Sequence, residues 1–243
     1  LLESILVVAE VQGLKANPKR LATGSVIEAS LDKGRGPVTT LLVQNGKLRT
    51  GDIIVVGACF GKVRKMTDDR GSEIKEAKPS TPVEIIGLND VPVAGDHLKV
   101  FDNEKQARAL ADRRSQVKID AERRGSSSVS LEELSKAIED GMLQEINLVV
   151  KADVQGSAEA IKQALERIQV DTVRINVIRS TVGAISESDI MLASASKAIV
   201  IGFNVRPDAV VRKKAEEEGI DIRLYNVIYD AVNEMESAMK GML

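Results

Sequence analysis

Apolar and polar positions alternate along this chain in three successive rhythms. Leu2, Ile5, Leu6 and Ala9 recur at helical spacing, and Gly13 with Pro18 ends that element. No cap residue precedes this helix, so it reads as the tail of an element whose body lies upstream. From about Ala22 to Phe101 the runs shorten to strand length: "TGSVIEASL", "PVTTLLVQ", "DIIVVG", "GKVRKMT", "PVEIIG" and "DHLKVF". Turn residues separate them ("KGRGP", "QNGKLRTGD", "DDRG", "NDVPVAGD"). Short strands at regular spacing predict a small closed antiparallel barrel, which has no exposed edges. The Asn45-Gly46 pair is the dipeptide that tight hairpin turns favour, because both positions tolerate positive φ.

A charged, helical stretch follows. Ala107, Leu110, Ala111 and Val117 form a narrow apolar stripe on "NEKQARALADRRSQVKIDAERR". "GSSSVS" at 125–130 has the composition of a flexible joint. Ser130 and Glu133 then make a capping box for a second short helix. In the last zone, apolar runs ("EINLVVKA", "TVRINVI", "KAIVIGF", "IDIRLYN") alternate with amphipathic ones ("SAEAIKQALERI", "SESDIMLASA", "PDAVVRKKAEEEG"). Ala158, Ile161, Leu165 and Ile168 form the buried face of the first of these helices. Pro207 suits a first helical position and Gly219 a helix stop. Four such units predict an α/β/α domain with a mostly parallel four-stranded sheet. A final helix begins near Val227, and the chain ends within it.

Composition narrows the function. Aromatic residues are 2% of the chain and Trp is absent, so the core is aliphatic. Charged residues make up 29%, with a net charge of −2, which gives no global case for a polyanionic partner. One Cys excludes an internal disulfide framework and fits a reducing compartment. No run of about 18 apolar residues exists and no signal peptide opens the chain. A soluble, cytoplasmic, monomeric protein is expected.

Nucleotide chemistry is the first candidate, because "DKGRG" (Asp32–Gly36) pairs glycines with basic residues. The phosphate loop GxxxxGK[ST] is absent, however, and "GACFGKV" (Gly57–Val63) misses it by one spacing and by the hydroxyl. "GRGPVT" lacks the third Gly of a dinucleotide fingerprint and enters a strand. One Cys (Cys59) and one His (His97) are too few for zinc. Asp68-Asp69 reads as a turn, and no catalytic arrangement is visible. Two turns of the last zone could hold an anion. Gly156 and Ser157 in "DVQGSAEA" lead from strand to helix, with Ser157 as the simple N-cap. Gly183 lies in "RSTVGAISESD", where Ser186 and Asp189 form a cap pattern. Loops at the carboxyl ends of parallel strands are where such sheets place ligands.

The barrel offers another kind of site. Residues 1–103 hold 14 basic and 13 acidic residues, whereas 144–243 hold 12 and 15. Lys33 and Arg35 share one turn. Lys62, Arg64 and Lys65 share one strand, and a period of two puts Lys65 on the face opposite the other two. With so few aromatics, an RNA contact here would be directed at phosphate and shape.

The motifs in order resemble a known family. They are "ILVVAEVQGLKANP", "SLDKGRGPVTTLLVQNGKLRTGDIIVVG", "GKVRKMTDDRG", "EAKPSTPVEIIGL" and "VPVAGDHLKVFDNEKQARALADRR", then "LVVKADVQGSAEAI", "VIRSTVGAISESDIMLASAS" and "IGFNVRPDA". Together they are similar to bacterial translation initiation factor two, across essentially the whole chain. The resemblance implies a middle segment of that factor. Residues 1–13 would be the terminal helix of the GTPase domain, and 14–103 a β-barrel of the translation-factor type. Residues 104–143 would be linker helices, 144–230 the α/β/α domain, and 231–243 the start of a helix leading to a carboxyl-terminal domain. It implies no catalytic residue, cofactor or metal in this segment, with GTP and magnesium held by the GTPase domain. The implied partners are the small ribosomal subunit and its RNA, the large subunit after joining, and initiator formylmethionyl-tRNA only through the carboxyl-terminal domain. No membrane partner is implied. Lys33, Arg35, Lys62, Arg64 and Lys65 are the candidate RNA contacts, and Gly156, Ser157 and Gly183 the candidate turns facing partners. Two rivals stand beside this reading: an α/β domain binding a small nucleotide or anion at its glycine turns, and an elongation-type factor segment with the same barrel.

Overall fold

The structure, a computed structural model, describes residues 1–126, 144–170 and 173–241. The chain divides into two compact units. One comprises Leu1–Ile27 with Val38–Arg114, and the other Glu28–Pro37 with Ser115–Leu243.

The first unit opens with helix α1 (Leu2–Gln12), closed by Gly13 in the left-handed conformation. None of its residues is buried. The barrel strands are β1 (Thr23–Asp32), β2 (Gly36–Asn45), β4 (Ile53–Val56), β5 (Cys59–Thr67), β7 (Thr81–Leu88) and β8 (His97–Phe101). They close in the order β1-β2-β7-β5-β4-β8, and each of the six expected runs supplies one strand. A separate two-stranded ribbon joins β3 (Leu48–Arg49) to β6 (Glu76–Ala77). The interior is aliphatic: Leu41, Ile54, Val63, Met66, Val83, Ile85 and Leu98 are all at most 1% exposed.

Barrel closure turns on the β5–β7 seam. Gly61 pairs with Leu88 and Lys65 with Ile86, so Lys62, Val63 and Arg64 lie opposite Gly87 alone. This is a β-bulge, which bends the strand and re-aims its side chains. The inward positions slip phase once on each strand, from Val63 to Met66 and from Ile85 to Leu88. Gly87 has φ 132°, and a Cβ there would run into the carbonyl oxygen of Lys62.

The Asn45-Gly46 pair does not close a hairpin. β2 pairs with β7 and β3 with β6, so this turn carries the chain out of the barrel wall into the ribbon. Asp68, by contrast, closes the expected turn, accepting from the amides of Arg70 (2.9 Å) and Ser72 (2.8 Å). Helix α2 (Glu104–Ser126) runs through Arg124 and on into the glycine-serine stretch. The rest of that stretch and the Ser130–Glu133 capping box lie outside the described residues. Ala107 and Ala111 are buried with Val55, and Ile53, Phe60, Phe101 and Leu110 pack against them. Val117 does not continue this stripe: it is 62% exposed.

In the second unit, β9 (Gln144–Ala152), β11 (Val173–Val182), β12 (Ile199–Phe203) and β13 (Ile222–Tyr225) form a parallel sheet in the order β11-β9-β12-β13. The two-residue strand β10 (Gln169–Val170) adds an antiparallel edge to the expected four. The helices are α3 (Gln155–Glu166), α4 (Glu187–Ser196), α5 (Ala209–Glu218) and α6 (Ile228–Lys240). Val149 and Val200 of the sheet meet Ile190 and Ala193 of α4 and Val211 and Ala215 of α5 in one cluster. Ala158, Ile161 and Leu165 form the buried face of α3, while Ile168 lies beyond its end and is only half-buried.

Two helix starts differ from the sequence expectation. α3 begins at Gln155, with Val154 in the cap position, so Ser157 sits inside the first turn and does not cap it. α5 is capped by Asp208, whose Oδ1 accepts from the Val211 amide at 2.9 Å, and Pro207 precedes the cap. At α5 a carboxylate takes the cap position with a side-chain hydrogen bond, whereas at α3 extended Val154 holds it with none. Ser186 and Asp189 do form the capping box of α4, and Gly219 ends α5 in the left-handed conformation.

The bulge yields a stability prediction. Gly87→Ala combines a left-handed φ with a backbone collision, so it should cost more than about 2 kcal/mol, read as a lowered urea midpoint.

Candidate nucleic-acid interface

Lys62, Arg64 and Lys65 are all exposed on the outer face of the barrel. Strict alternation would have sent Lys65 to the opposite face. The bulge at Gly87 shifts the register between Gly61 and Lys65, and both Arg64 and Lys65 end outward. Lys65 Nζ lies 3.5 Å from a carboxylate oxygen of Glu73, an exposed pair of little energetic weight. A single strand thus presents three cations from one wall of the barrel.

The turn that carries Lys33 and Arg35 is built differently. Asp32 Oδ1 accepts from the amides of Gly34 and Arg35, both at 2.8 Å. Its other oxygen faces the Arg35 guanidinium at 3.5 Å. The amide of Arg35, then that of Gly34, holds the Asp32 carboxyl below the ordinary carboxylate range. The N–H groups that a phosphate-binding loop would aim at a ligand are therefore already taken by the loop's own carboxylate. Lys33, which groups with the second unit, lies 3.6 Å from Asp208 Oδ2.

The glycine turns of the second unit are also partly committed. Residues 28–37 belong to this unit, and Leu31 lies at van der Waals distance, 3.7 Å, from where a Cβ of Gly183 would project. Ser30 forms an antiparallel bridge with Val154 beside the start of α3. Gly156 faces open space, but Asp153 just before it sets a carboxylate at that helix start, accepting from the Val154 amide (2.9 Å) and from Asn204 Nδ2 (3.3 Å).

Sequence reading missed the most buried charges among the unit's described residues. Lys151 in β9 is 8% exposed and Asp189 in α4 is 1% exposed. Their charged atoms lie 3.4 Å apart, and Lys151 Nζ also donates to Thr181 Oγ1 at 3.1 Å. Asp189 Oδ2 accepts from the Ser186 amide (2.9 Å) and hydroxyl (2.7 Å). Three elements, β9, β11 and α4, are tied together at one point beneath the Gly183 turn. The signal was available: a lysine inside the apolar run "NLVVKA" requires a buried partner.

The chain resembles known proteins over its whole length. A family model described as translation-initiation factor 2 matches residues 120–236, and one described as elongation factor G domain 2 matches residues 21–101. Translation initiation factor IF-2 of Carboxydothermus hydrogenoformans is 58% identical over all 243 residues, which cover 29% of its length. That of Halalkalibacterium halodurans is 59% identical over the same span, covering 33% of its length. The chain is thus similar over its whole length to translation initiation factor 2. It spans about a third of the length of the curated relatives it matches. A solved structure, GDP-bound aIF5B from Aeropyrum pernix, shares the fold with a TM-score of 0.54 at 23% identity, over 99% of this chain and 41% of that one. The barrel of this chain is thus of the elongation factor G domain 2 type, joined to a parallel α/β domain. No described helix is long and apolar enough to cross a membrane.

Two predictions follow from the site's charges. Lys151→Met would leave Asp189 buried without its cation and should cost about 3 kcal/mol, measured by urea denaturation. The Val211 amide, with the Lys33 charge adding to it, holds the Asp208 carboxyl below its ordinary value of 3.8. A depressed carboxyl contributes stability above that ordinary value and loses it as pH falls through the lowered one. Asp208→Ala should therefore lower the urea midpoint at pH 7, and the difference from wild type should vanish in strong acid.

Proposed function

We propose that this chain is a ribosome-binding part of a translation initiation GTPase, in which the barrel docks on the RNA of the small ribosomal subunit. The observation that carries the proposal is the outward row Lys62, Arg64 and Lys65, set on one wall by the β5 bulge in a chain similar to translation initiation factor 2. Lys and Arg heads on a rigid wall suit phosphate contacts, and the scarcity of aromatics leaves little to stack on bases. Lys33 and Arg35 are proposed as secondary contacts. Each already faces a carboxylate, so binding there requires exchange of partners.

The α/β domain, with its turns at Gly156, Ser157 and Gly183, is proposed to relay conformation between the barrel and the part of the protein that carries initiator formylmethionyl-tRNA. The whole protein would act in the cytoplasm, promote initiator-tRNA binding and subunit joining, and hydrolyse GTP. GTP and magnesium would be held outside this segment, which carries no catalytic role of its own. The rival reading, a small nucleotide or anion at the glycine turns, is weakened by Leu31 beside Gly183 and by Asp153 beside Gly156.

Co-sedimentation with purified small subunits tests the proposal. The chain should pellet at low salt and release as salt rises, because phosphate contacts are lost with counterion competition. Lys62→Ala with Arg64→Ala should weaken pelleting roughly tenfold near 0.1 M salt, at about 1 kcal/mol or less per contact. Lys33→Ala with Arg35→Ala should have a smaller effect. Alanine is the informative choice at 33, since glutamate would set two carboxylates together at Asp208. Unchanged pelleting in both variants would remove the barrel assignment.

A further inference from the structure

A second basic feature lies in the first unit, away from the β5 row in sequence and built from residues outside the candidate contacts. It is a depression lined by Lys19, Arg20, Lys47 and Arg49, with Asp52 as the one carboxylate on its wall and Pro18 and Leu21 between. Lys19 and Arg20 lie on the irregular strap that precedes β1. Lys47 and Arg49 lie on and beside the β3–β6 ribbon.

The strap is held in place. Asn17 donates its amide to Asn45 Oδ1 at 3.1 Å, and its carbonyl accepts from the Gly46 amide at 3.0 Å. Asn17 Oδ1 in turn accepts from the Lys19 amide at 2.9 Å. Leu21 forms a parallel bridge with Lys47. Gly46 has φ 70°, and a Cβ there would collide with the backbone carbonyl of Arg20. The turn that failed to make a hairpin therefore has another use: it clamps a cationic strap against the ribbon.

The cations are also oriented. Glu76 takes Lys47 Nζ at 2.9 Å and Arg49 Nε at 3.1 Å, so one carboxylate fixes two cations and neutralises only one of them. The contact to Arg49 runs through Nε, which leaves its terminal nitrogens to present a fork, the geometry that suits phosphate oxygens. Asp52 Oδ2 is occupied by the Arg49 amide at 2.8 Å. Among the described residues no ion pair engages Lys19 or Arg20, both of which are exposed. The result is a concave surface with surplus positive charge, organised before any ligand arrives, which reduces the ordering cost of binding.

We propose that this depression is a second phosphate-recognition site of the barrel, holding the sugar–phosphate backbone of an RNA strand. Arg49 supplies the fork, Lys47 a fixed point charge, and Lys19 and Arg20 the contacts at the mouth. The proposal rests on the ribosomal-RNA reading above, and names a surface which that reading did not use.

The test uses the full 243-residue chain, a fluorescein-labelled RNA hairpin read by anisotropy, and small subunits read by pelleting, both across about 20–200 mM KCl. Lys19→Ala with Arg20→Ala should weaken hairpin binding roughly tenfold near 0.1 M salt and flatten the slope of log K against log salt by about 1–2. A control with the same loss of charge, Lys105→Ala with Lys118→Ala on α2, should leave both nearly unchanged. If the Lys19/Arg20 variant matches the control, or if the wild-type chain fails to bind the hairpin at the lowest salt, the site is overturned. Wild-type pelleting that survives such a result would leave the ribosome reading standing. Hairpin binding that falls as expected, in a chain that does not pellet with subunits, would support the site and overturn the ribosome reading.

Discussion

The barrel depends on the close approach of Gly87 to the backbone of Lys62 across the β5–β7 seam. A closed six-stranded sheet of these short strands must curve sharply somewhere, and a bulge at glycine is the cheapest place to do it. Everything nearby inherits the consequence. Val63 and Met66 both reach the interior although they lie three positions apart, and Arg64 and Lys65 both remain outside. The same event that lets the wall close therefore concentrates charge on its outer surface. Packing and electrostatics are not separable at this seam.

Most of the architecture was legible in the sequence because the hydrophobic periods are clean. Six apolar runs became six barrel strands, and four more became the parallel sheet. What escaped was decided by contacts distant in sequence. Asn45-Gly46 has hairpin chemistry, yet its partner is Asn17, 28 residues away, and the turn serves the strap. Lys65 departs from the period of two because of a glycine on another strand. Val117 continues the stripe of α2 in sequence, but the apolar patch beneath the helix, Ile53, Val55, Phe60 and Phe101, reaches only as far as Ala111. The candidate site was legible only in part. Lys62 and Arg64 could be read as exposed neighbours, whereas nothing local connects Lys19 and Arg20 with Lys47 and Arg49, or Lys151 with Asp189.

The two units also handle charge in opposite ways. In the barrel, cations outnumber their carboxylate partners at the surface, where water and salt moderate them. In the α/β unit, one lysine and one aspartate are taken out of water together, and the network of Thr181 and Ser186 satisfies what the pair itself does not. An arrangement of the first kind can exchange its partners for an incoming polyanion. One of the second kind has two discrete states, intact or broken, and so fixes the Gly183 turn firmly.

The aliphatic core has an optical consequence. The chain contains no tryptophan and two tyrosines, and both lie in the last twenty residues, at 225 and 229. Tyr225 is 7% exposed at the end of β13, where burial raises its hydroxyl above the ordinary phenol range, while Tyr229 is 77% exposed on α6. Tyrosine emission from the native chain is therefore the emission of the α/β unit alone, and the barrel, with Phe60 and Phe101 as its only aromatic residues, adds none to it. A melting curve followed by tyrosine light would describe one of the two folded bodies and be blind to the other, whereas one followed by backbone dichroism would contain both.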